Sequence, residues 1–217
     1  MKNSKHYFSE FIGTFLLVLF GTGSIIISEE YNGIIQEFGI GIVFGLTVWM
    51  LVHFLGKISD CHINPAVTIG MMLDKKITIK KASWYILFQL IGALSASCFL
   101  YVLFPDNLKL GNTLPRNLWQ EAFLYELFLS FILMLVILIS TNRSFLIKRA
   151  SFLIGFTVFL EAWLAGPVCG ASMNPARTFG PAIVSGNSSV LWLYFAAPIL
   201  GMALAMYIFK FKLSVLK

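Results

Sequence analysis

The chain has 217 residues, of which 58% are hydrophobic and 12% charged, and its formal net charge is +6. Soluble domains carry about 25% charged residues, and a mean hydropathy of +0.83 means more apolar surface than a soluble core can bury. The composition therefore excludes an ordinary soluble domain. The cysteines, Cys61, Cys98 and Cys169, have neither paired nor metal-like spacing, which argues against a disulfide framework and a zinc site.

The apolar residues form six runs, each long enough to cross about 30 Å of hydrocarbon as a helix. The first run is too long for the h-region of a signal peptide and lacks a small-x-small cleavage pattern, so we expect it to remain as a spanning helix. The pattern predicts an all-α membrane protein with six spans, which in chain order cover about residues 7–28, 34–55, 82–104, 118–140, 150–168 and 189–209.

The basic residues are distributed unevenly between the two sides that six spans define. With Arg177 set aside, one side has two of them, Lys109 and Arg116. The side that holds both termini has thirteen: Lys2, Lys5, Lys57, Lys75, Lys76, Lys80, Lys81, Arg143, Lys148, Arg149, Lys210, Lys212 and Lys217. Lysine and arginine mark the cytoplasmic side of membrane proteins. We therefore expect cytoplasmic termini in a plasma (inner) membrane, and we interpret the positive charge as a topology signal rather than a nucleic-acid-binding surface.

The two halves of the chain repeat each other. The segment 62–70 (HINPAVTIG) matches the segment 172–180 (SMNPARTFG) at an offset of 110 residues, and Gly45-Leu46-Thr47-Val48 matches Gly155-Phe156-Thr157-Val158 at the same offset. Each half holds three spans, so the second half must be inverted relative to the first. We predict a single domain over 1–217, built from inverted repeats of about 1–105 and 117–217.

Two identical Asn-Pro-Ala turns, at residues 64–66 and 174–176, precede apolar segments too short to span a membrane. Asn64 and Asn174 are good N-caps, and Pro65 and Pro175 fit the first helical position. Eight to ten residues of helix would be about half as long as the hydrocarbon is thick. We predict two half-helices that enter from opposite faces and meet at mid-membrane.

The backbone that leads into these turns, residues 59–63 and 168–173, is tolerable at that depth only if it lines a wet cavity. Its carbonyl groups would then be acceptors for a permeating molecule, and the side-chain amides of Asn64 and Asn174 would be donors at the centre. Two positive helix ends should repel cations there. The pattern predicts a pore.

With two such motifs in matching contexts, the sequence resembles the aquaporin, or major intrinsic protein, family over essentially its whole length. Residues 166–175 (GPVCGASMNP) are most similar to the nodulin-like branch and its bacterial relatives. The resemblance implies an aquaporin-like fold of six transmembrane helices plus two re-entrant half-helices. It also implies a passive channel for water and small neutral solutes, a homotetramer in the lipid bilayer, no cofactor and no metal. The motif alanines, Ala66 and Ala176, belong to the pore turns.

The resemblance also implies a selectivity filter. Arg177 corresponds to the filter arginine, and Phe44, Ala162 and Ala171 are its partners by alignment. Strict water channels usually have histidine and a small polar residue or cysteine at the last two positions, so two alanines imply a wider constriction that passes glycerol-like polyols, urea or neutral metalloid acids.

A strict water channel remains the alternative. Thr178 stands where glycerol channels usually have aspartate, Ala182 stands where they have a basic residue, and Tyr194-Phe195 keeps the aromatic character of water channels.

Four further polar residues lie near the predicted pore. His62 matches a pore-lining position of the family, and Glu10 and Glu126 match acids that support the re-entrant loops. Glu161 adjoins Ala162, and it could tune selectivity, carry a proton or pair within the bundle. A proton-coupled transporter that uses Glu161 is thus a second hypothesis. The spans contain no catalytic constellation, so we do not expect an enzyme.

Overall fold

The computed structural model describes the backbone of residues 4–215 and the side chains of residues 4–211. Over these residues the chain forms eight helices of substantial length, six of which are long and apolar enough to cross a membrane. In chain order they are α1 (Ser4–Glu30), α2 (Gln36–Ser59), α3 (Pro65–Leu73), α4 (Ile79–Leu103), α5 (Trp119–Asn142), α6 (Ala150–Cys169), α7 (Pro175–Val184) and α8 (Leu191–Val215). The short helices α3 and α7 are the predicted half-helices. The all-α prediction is therefore confirmed.

Several helix ends differ from the predicted spans because capping groups extend a helix beyond its apolar run. Helix α4 begins at Ile79, since Thr78 Oγ1 accepts the Lys81 N–H at 3.2 Å. Helix α2 continues to Ser59, where Asp60 ends it in the left-handed conformation with φ 66°. Aspartate is among the few residues other than glycine that adopt this conformation readily.

Helix α1 contains a π-helical turn, Val18–Thr22, that the sequence analysis did not predict. Such turns insert one residue into a helix and are frequent at functional sites. Gly21 in this turn faces the ring of Phe44 so closely that a Cβ atom would overlap it. The turn therefore sets how far the Phe44 side chain can extend toward α1.

Small residues bring the spanning helices together in matched pairs. Helices α2 and α6 cross at Gly45 and Gly155, where a Cβ on either glycine would lie less than 3.0 Å from the backbone oxygen of the other. Gly92 of α4 lies against the backbone of α1, and Gly201 of α8 lies in the same way against the backbone of α5. Small residues at such crossings permit close packing of helices in membranes. The glycines of each pair occupy matching positions in the two halves of the chain.

Two buried tyrosines show the same correspondence between the halves. Tyr85 Oη donates to the Ser59 carbonyl at 2.8 Å, and Tyr194 Oη donates to the Cys169 carbonyl at 2.7 Å. Ser59 and Cys169 are the last residues of α2 and α6. Each tyrosine thus fixes the point where a spanning helix gives way to the loop before a half-helix.

Candidate pore and its constriction

Two cavities extend into the protein from opposite ends. The first, which we call the inner cavity, has a volume of about 700 Å³ and reaches from Lys57 and Lys148 to the turns before α3 and α7. The outer cavity has a volume of about 440 Å³ and opens near Glu29 and Lys109. Three residues line both cavities and so lie where the two approach each other: Phe44, Ala171 and Arg177. Ala162 lines the outer cavity.

Arg177 is almost fully buried, with 2% of its surface exposed. Its Nη1 donates to the Gly111 carbonyl at 3.0 Å, and its guanidinium carbon lies 5.3 Å from the centre of the Phe44 ring. A cation at this distance from an aromatic face is attracted to it. Because α7 begins at Pro175 and Arg177 lies in its first turn, the half-helix fixes where the charge stands.

Gly111 was not among the predicted site residues. It lies in the loop between α4 and α5, in the segment that separates the two predicted repeats. Gly111 has φ 60°, and a Cβ there would collide with Thr22 of α1. The carbonyl that holds Arg177 is therefore placed by a loop packed against the first spanning helix.

The two Asn-Pro-Ala turns hold each other together. Asn64 Nδ2 donates to the Met173 carbonyl at 2.8 Å, and Asn174 Nδ2 donates to the Ile63 carbonyl at 2.8 Å. Each Asn side-chain oxygen caps its own half-helix. Asn64 Oδ1 accepts the Ala66 N–H at 2.9 Å, and Asn174 Oδ1 accepts the Ala176 N–H at 3.0 Å. One N–H of each amide is thus used within the protein, and the other has no partner among the described residues.

The motif prolines and alanines are buried around this crosslink. Pro65 and Pro175 are the first residues of their half-helices, and Ala66 and Ala176 have no exposed surface. The N-termini of α3 and α7 therefore meet in the interior.

The loops before the half-helices share an unusual backbone conformation. Four residues other than glycine have positive φ angles at matched places: Cys61 (48°), Ile63 (43°), Ala171 (39°) and Met173 (52°). Such angles are strained and persist only where the surroundings enforce them. Five of the carbonyls that we expected to be free accept hydrogen bonds within the protein. Those of Ile63 and Met173 accept from the opposite Asn, and the others are those of Ser59, Val168 and Cys169. The row of free acceptors is shorter than predicted.

Two buried glutamates hold these strained loops. Glu10 accepts the backbone N–H groups of His62 at 3.0 Å and Ile63 at 2.7 Å. Glu126 accepts those of Ser172 at 2.7 Å and Met173 at 2.8 Å. Neither glutamate has measurable exposed surface. Both carboxyl groups are therefore used as acceptors within the protein.

His62 and its counterpart in the second half have different surroundings. His62 lines the inner cavity, its Nδ1 lies 3.2 Å from Thr68 Oγ1, and its ring makes an edge contact with Tyr85. In the second half, the hydroxyl of Ser172 lies 2.6 Å from that of Thr178. The inner cavity thus has an imidazole near its narrow end, where the other half has only a small hydroxyl.

Glu161 does not belong to the lining of either cavity. It lies on α6 and is 6% exposed, and neither of its carboxyl oxygens has a hydrogen-bond partner among the described residues. Residues 4–211 also contain no cluster of histidine, cysteine or acidic side chains that could hold a metal ion.

Comparisons with known proteins agree with this architecture. The family model described as Major intrinsic protein matches residues 1–209. Nodulin-26 of Glycine max is 38% identical over 195 residues, which are 89% of this chain and 72% of that protein. Aquaporin NIP1-1 of Zea mays is 36% identical over 195 residues, with 89% of this chain and 69% of that protein covered.

Among solved structures, the chain is similar to the aquaglyceroporin from Plasmodium falciparum, with a TM-score of 0.85, 25% sequence identity and 94% of each chain covered. The predicted aquaporin-like fold and the nodulin-like resemblance are confirmed.

Proposed function

The chain belongs to the major intrinsic protein family, and on that premise we propose that it is a passive channel for water and small uncharged solutes that excludes ions and protons. It is a multi-pass integral membrane protein, and its relatives are channels rather than enzymes. The solutes we propose are glycerol-like polyols, urea and neutral metalloid acids.

The observation that carries this proposal is the meeting of two cavities at three residues, Phe44, Ala171 and Arg177. Selectivity in pores of this kind depends on width, hydrogen-bonding groups and electrostatic barriers. Ala162 and Ala171 have the smallest side chains that still carry a Cβ, so they favour a constriction wide enough for a small polyol. Together with Phe44 and Arg177 they form the filter that we propose.

Two features support the exclusion of cations. The N-termini of α3 and α7 meet in the interior, and each helix N-terminus carries roughly half a positive charge. Arg177 adds a full buried charge at the constriction. The free amide N–H groups of Asn64 and Asn174 would orient a neutral solute between these barriers, and His62 would contact it in the inner cavity.

The proposed activity is tested with purified protein in proteoliposomes. Stopped-flow light scattering should show rapid transport of water, glycerol and boric acid down their gradients, with the same rates in the presence and absence of a pH gradient. Solute flux that stops without a pH gradient would instead favour the proton-coupled transporter. Water flux without glycerol or boric acid flux would favour the strict water channel, as the threonine at position 178 suggests.

Replacement of Ala162 by histidine should narrow the constriction toward water. We expect Ala162→His to lower glycerol permeability much more than water permeability, because the imidazole fills space beside the filter and adds a polar group. The matched control is Val52→His, since Val52 occupies the equivalent position in the first repeat and lines only the inner cavity. Equal glycerol flux in the Ala162→His variant and the wild type would show that α6 is misaligned in the proposed filter.

We also propose a homotetramer with cytoplasmic termini in the plasma (inner) membrane, with residues 1–217 acting as one channel domain. The family resemblance supports the tetramer, and the distribution of lysine and arginine supports the orientation. A reporter that is active only in the cytoplasm should be active when it is fused to either terminus. Crosslinking in mild detergent should yield a species of four chains.

A further inference from the structure

The inner cavity has the size and the wall of a binding site for an organic molecule. Its volume of about 700 Å³ lies within the range of small-molecule sites, which is about 300–1,000 Å³. Such sites have mostly apolar walls and a few polar groups. Apolar side chains of α2, α5 and α6 form much of the wall here: Val48, Val52, Leu133, Ile137, Ile154 and Val158. A hydrocarbon chain or an aromatic ring would be favourable against this wall.

The mouth of the inner cavity has an excess of positive charge. Two lysines of its lining, Lys57 and Lys148, have no ion-pair partner among residues 4–211. The third lysine of the lining, Lys76, lies 3.3 Å from a carboxylate oxygen of Asp74. The aspartate of the lining, Asp60, has a lysine of its own at 3.9 Å. With these ion pairs set aside, two positive charges remain at the mouth.

The interior of the inner cavity also favours a negative charge over a positive one. Asp60, at the mouth, is the only acidic residue in the described part of its lining. At the narrow end the N-termini of α3 and α7 meet, and each carries roughly half a positive charge. Arg177 lines the same end and is 2% exposed. The groups that repel a cation therefore attract an anion into this cavity.

The outer cavity has the opposite charge at its mouth. Two glutamates, Glu29 and Glu37, line it together with a single lysine, Lys109. Apart from Arg177, which both cavities share, its charged lining residues carry an excess of one negative charge. An anion is therefore favoured at one entrance of the candidate pore and disfavoured at the other.

We propose that the inner cavity binds a small amphipathic anion, such as a medium-chain alkyl carboxylate or sulfonate. Its charged group lies beside Lys57 and Lys148, and its apolar part lies along the wall toward the turns. The charged group stays at the mouth because it keeps part of its water there, whereas a charge at the narrow end would lose that water.

A bound anion of this kind closes the channel from the side of the membrane that holds the termini. Its apolar part occupies the space between the mouth and the narrow end, where His62 and the two Asn side chains line the cavity. Only this closure rests on the proposed function, since binding requires the cavity and its charges alone.

Calorimetric titration of the full chain in phosphatidylcholine nanodiscs tests the binding, with empty nanodiscs as the correction for partition into lipid. The probe is hexane-1-sulfonate, whose charge is permanent, and we expect one bound anion per chain. Affinity should rise about fourfold for each methylene from butane- to hexane-1-sulfonate, because the apolar wall takes up the added group. Hexan-1-ol and hexyltrimethylammonium should bind at least tenfold more weakly. Equal binding of hexan-1-ol would overturn the recognition of an anion.

A pair of double variants tests the two lysines. Lys57→Gln with Lys148→Gln should lower the affinity for hexane-1-sulfonate by about tenfold. Lys75→Gln with Lys80→Gln removes the same charge from exposed lysines that line neither cavity, so it should bind like the wild type. All four lysines are exposed, so both variants should melt like the wild type. The proposal is wrong if the two double variants bind this anion equally well.

Stopped-flow water permeability of phosphatidylcholine proteoliposomes tests the closure. Hexane-1-sulfonate on one side should block only the channels whose termini face that side, a fraction given by protease cleavage of an amino-terminal tag. Block from the opposite side would place the site in the outer cavity and overturn the proposal, and binding without block would overturn the closure. A wild type without water permeability would overturn the proposed function, whereas the calorimetric titration would still decide whether the anion binds.

Discussion

Replacement of Arg177 by alanine should raise the permeability to glycerol and urea by roughly tenfold, which corresponds to about 1.4 kcal/mol at the barrier. The variant removes a buried charge, the hydrogen bond to the Gly111 carbonyl and the contact with the Phe44 ring. The constriction becomes wider, and its electrostatic barrier is lowered. Stopped-flow light scattering on proteoliposomes of matched channel density measures the change.

Two variants control for effects other than width. Arg116→Ala removes an exposed arginine from the loop between α4 and α5 and should leave permeability unchanged. Arg177→Lys keeps the charge but loses the planar guanidinium that reaches the carbonyl and the ring together, so an intermediate permeability is expected. Unchanged glycerol and urea flux in Arg177→Ala would remove Arg177 from the proposed filter.

Replacement of Glu10 by alanine should have the largest effect on stability. Four donors lose their acceptor: the backbone N–H groups of His62 and Ile63, the Ser59 hydroxyl and the Gln89 amide. A buried donor left without a partner costs about 1–3 kcal/mol, so a loss of at least about 3 kcal/mol is expected. The variant should fold poorly or melt at a much lower temperature in detergent.

Two variants distinguish the loss of these hydrogen bonds from the loss of a negative charge. Glu37→Ala removes an exposed glutamate at the start of α2 and should shift the melting temperature little. Glu10→Gln retains one acceptor oxygen and should lie between the wild type and Glu10→Ala. If Glu10→Ala melted like the wild type, the loop before α3 would not depend on this carboxyl group.

The sequence allowed the helices and turns to be predicted because their determinants are local. An apolar run of about 20 residues is sufficient for a span, and Asn64 followed by Pro65 marks the start of α3 within a single turn of chain. The π-helical turn at Val18–Thr22 left no such signal. Gly21 of this turn packs against Phe44, a residue on another helix, and the sequence does not show that contact.

The sequence allowed the residues of the candidate pore to be predicted, but not the hydrogen bonds that join them. Arg177 was identified from its place after the second motif, whereas its partner Gly111 comes from a loop 66 residues earlier. The reciprocal hydrogen bonds of Asn64 and Asn174 join residues that are 109 and 111 positions apart in the sequence. No local pattern specifies such pairs.

The number of spans and the two half-helices could be predicted from local sequence, because hydrophobic length and capping chemistry act over a few residues. The way in which the candidate pore is held became visible in the packed fold: which amide N–H groups of Asn64 and Asn174 remain free, which carbonyl holds Arg177, and that Glu161 lies outside both cavities. Burial and hydrogen-bond satisfaction depend on groups brought together from both halves of the chain, so they exist only once the helices have packed.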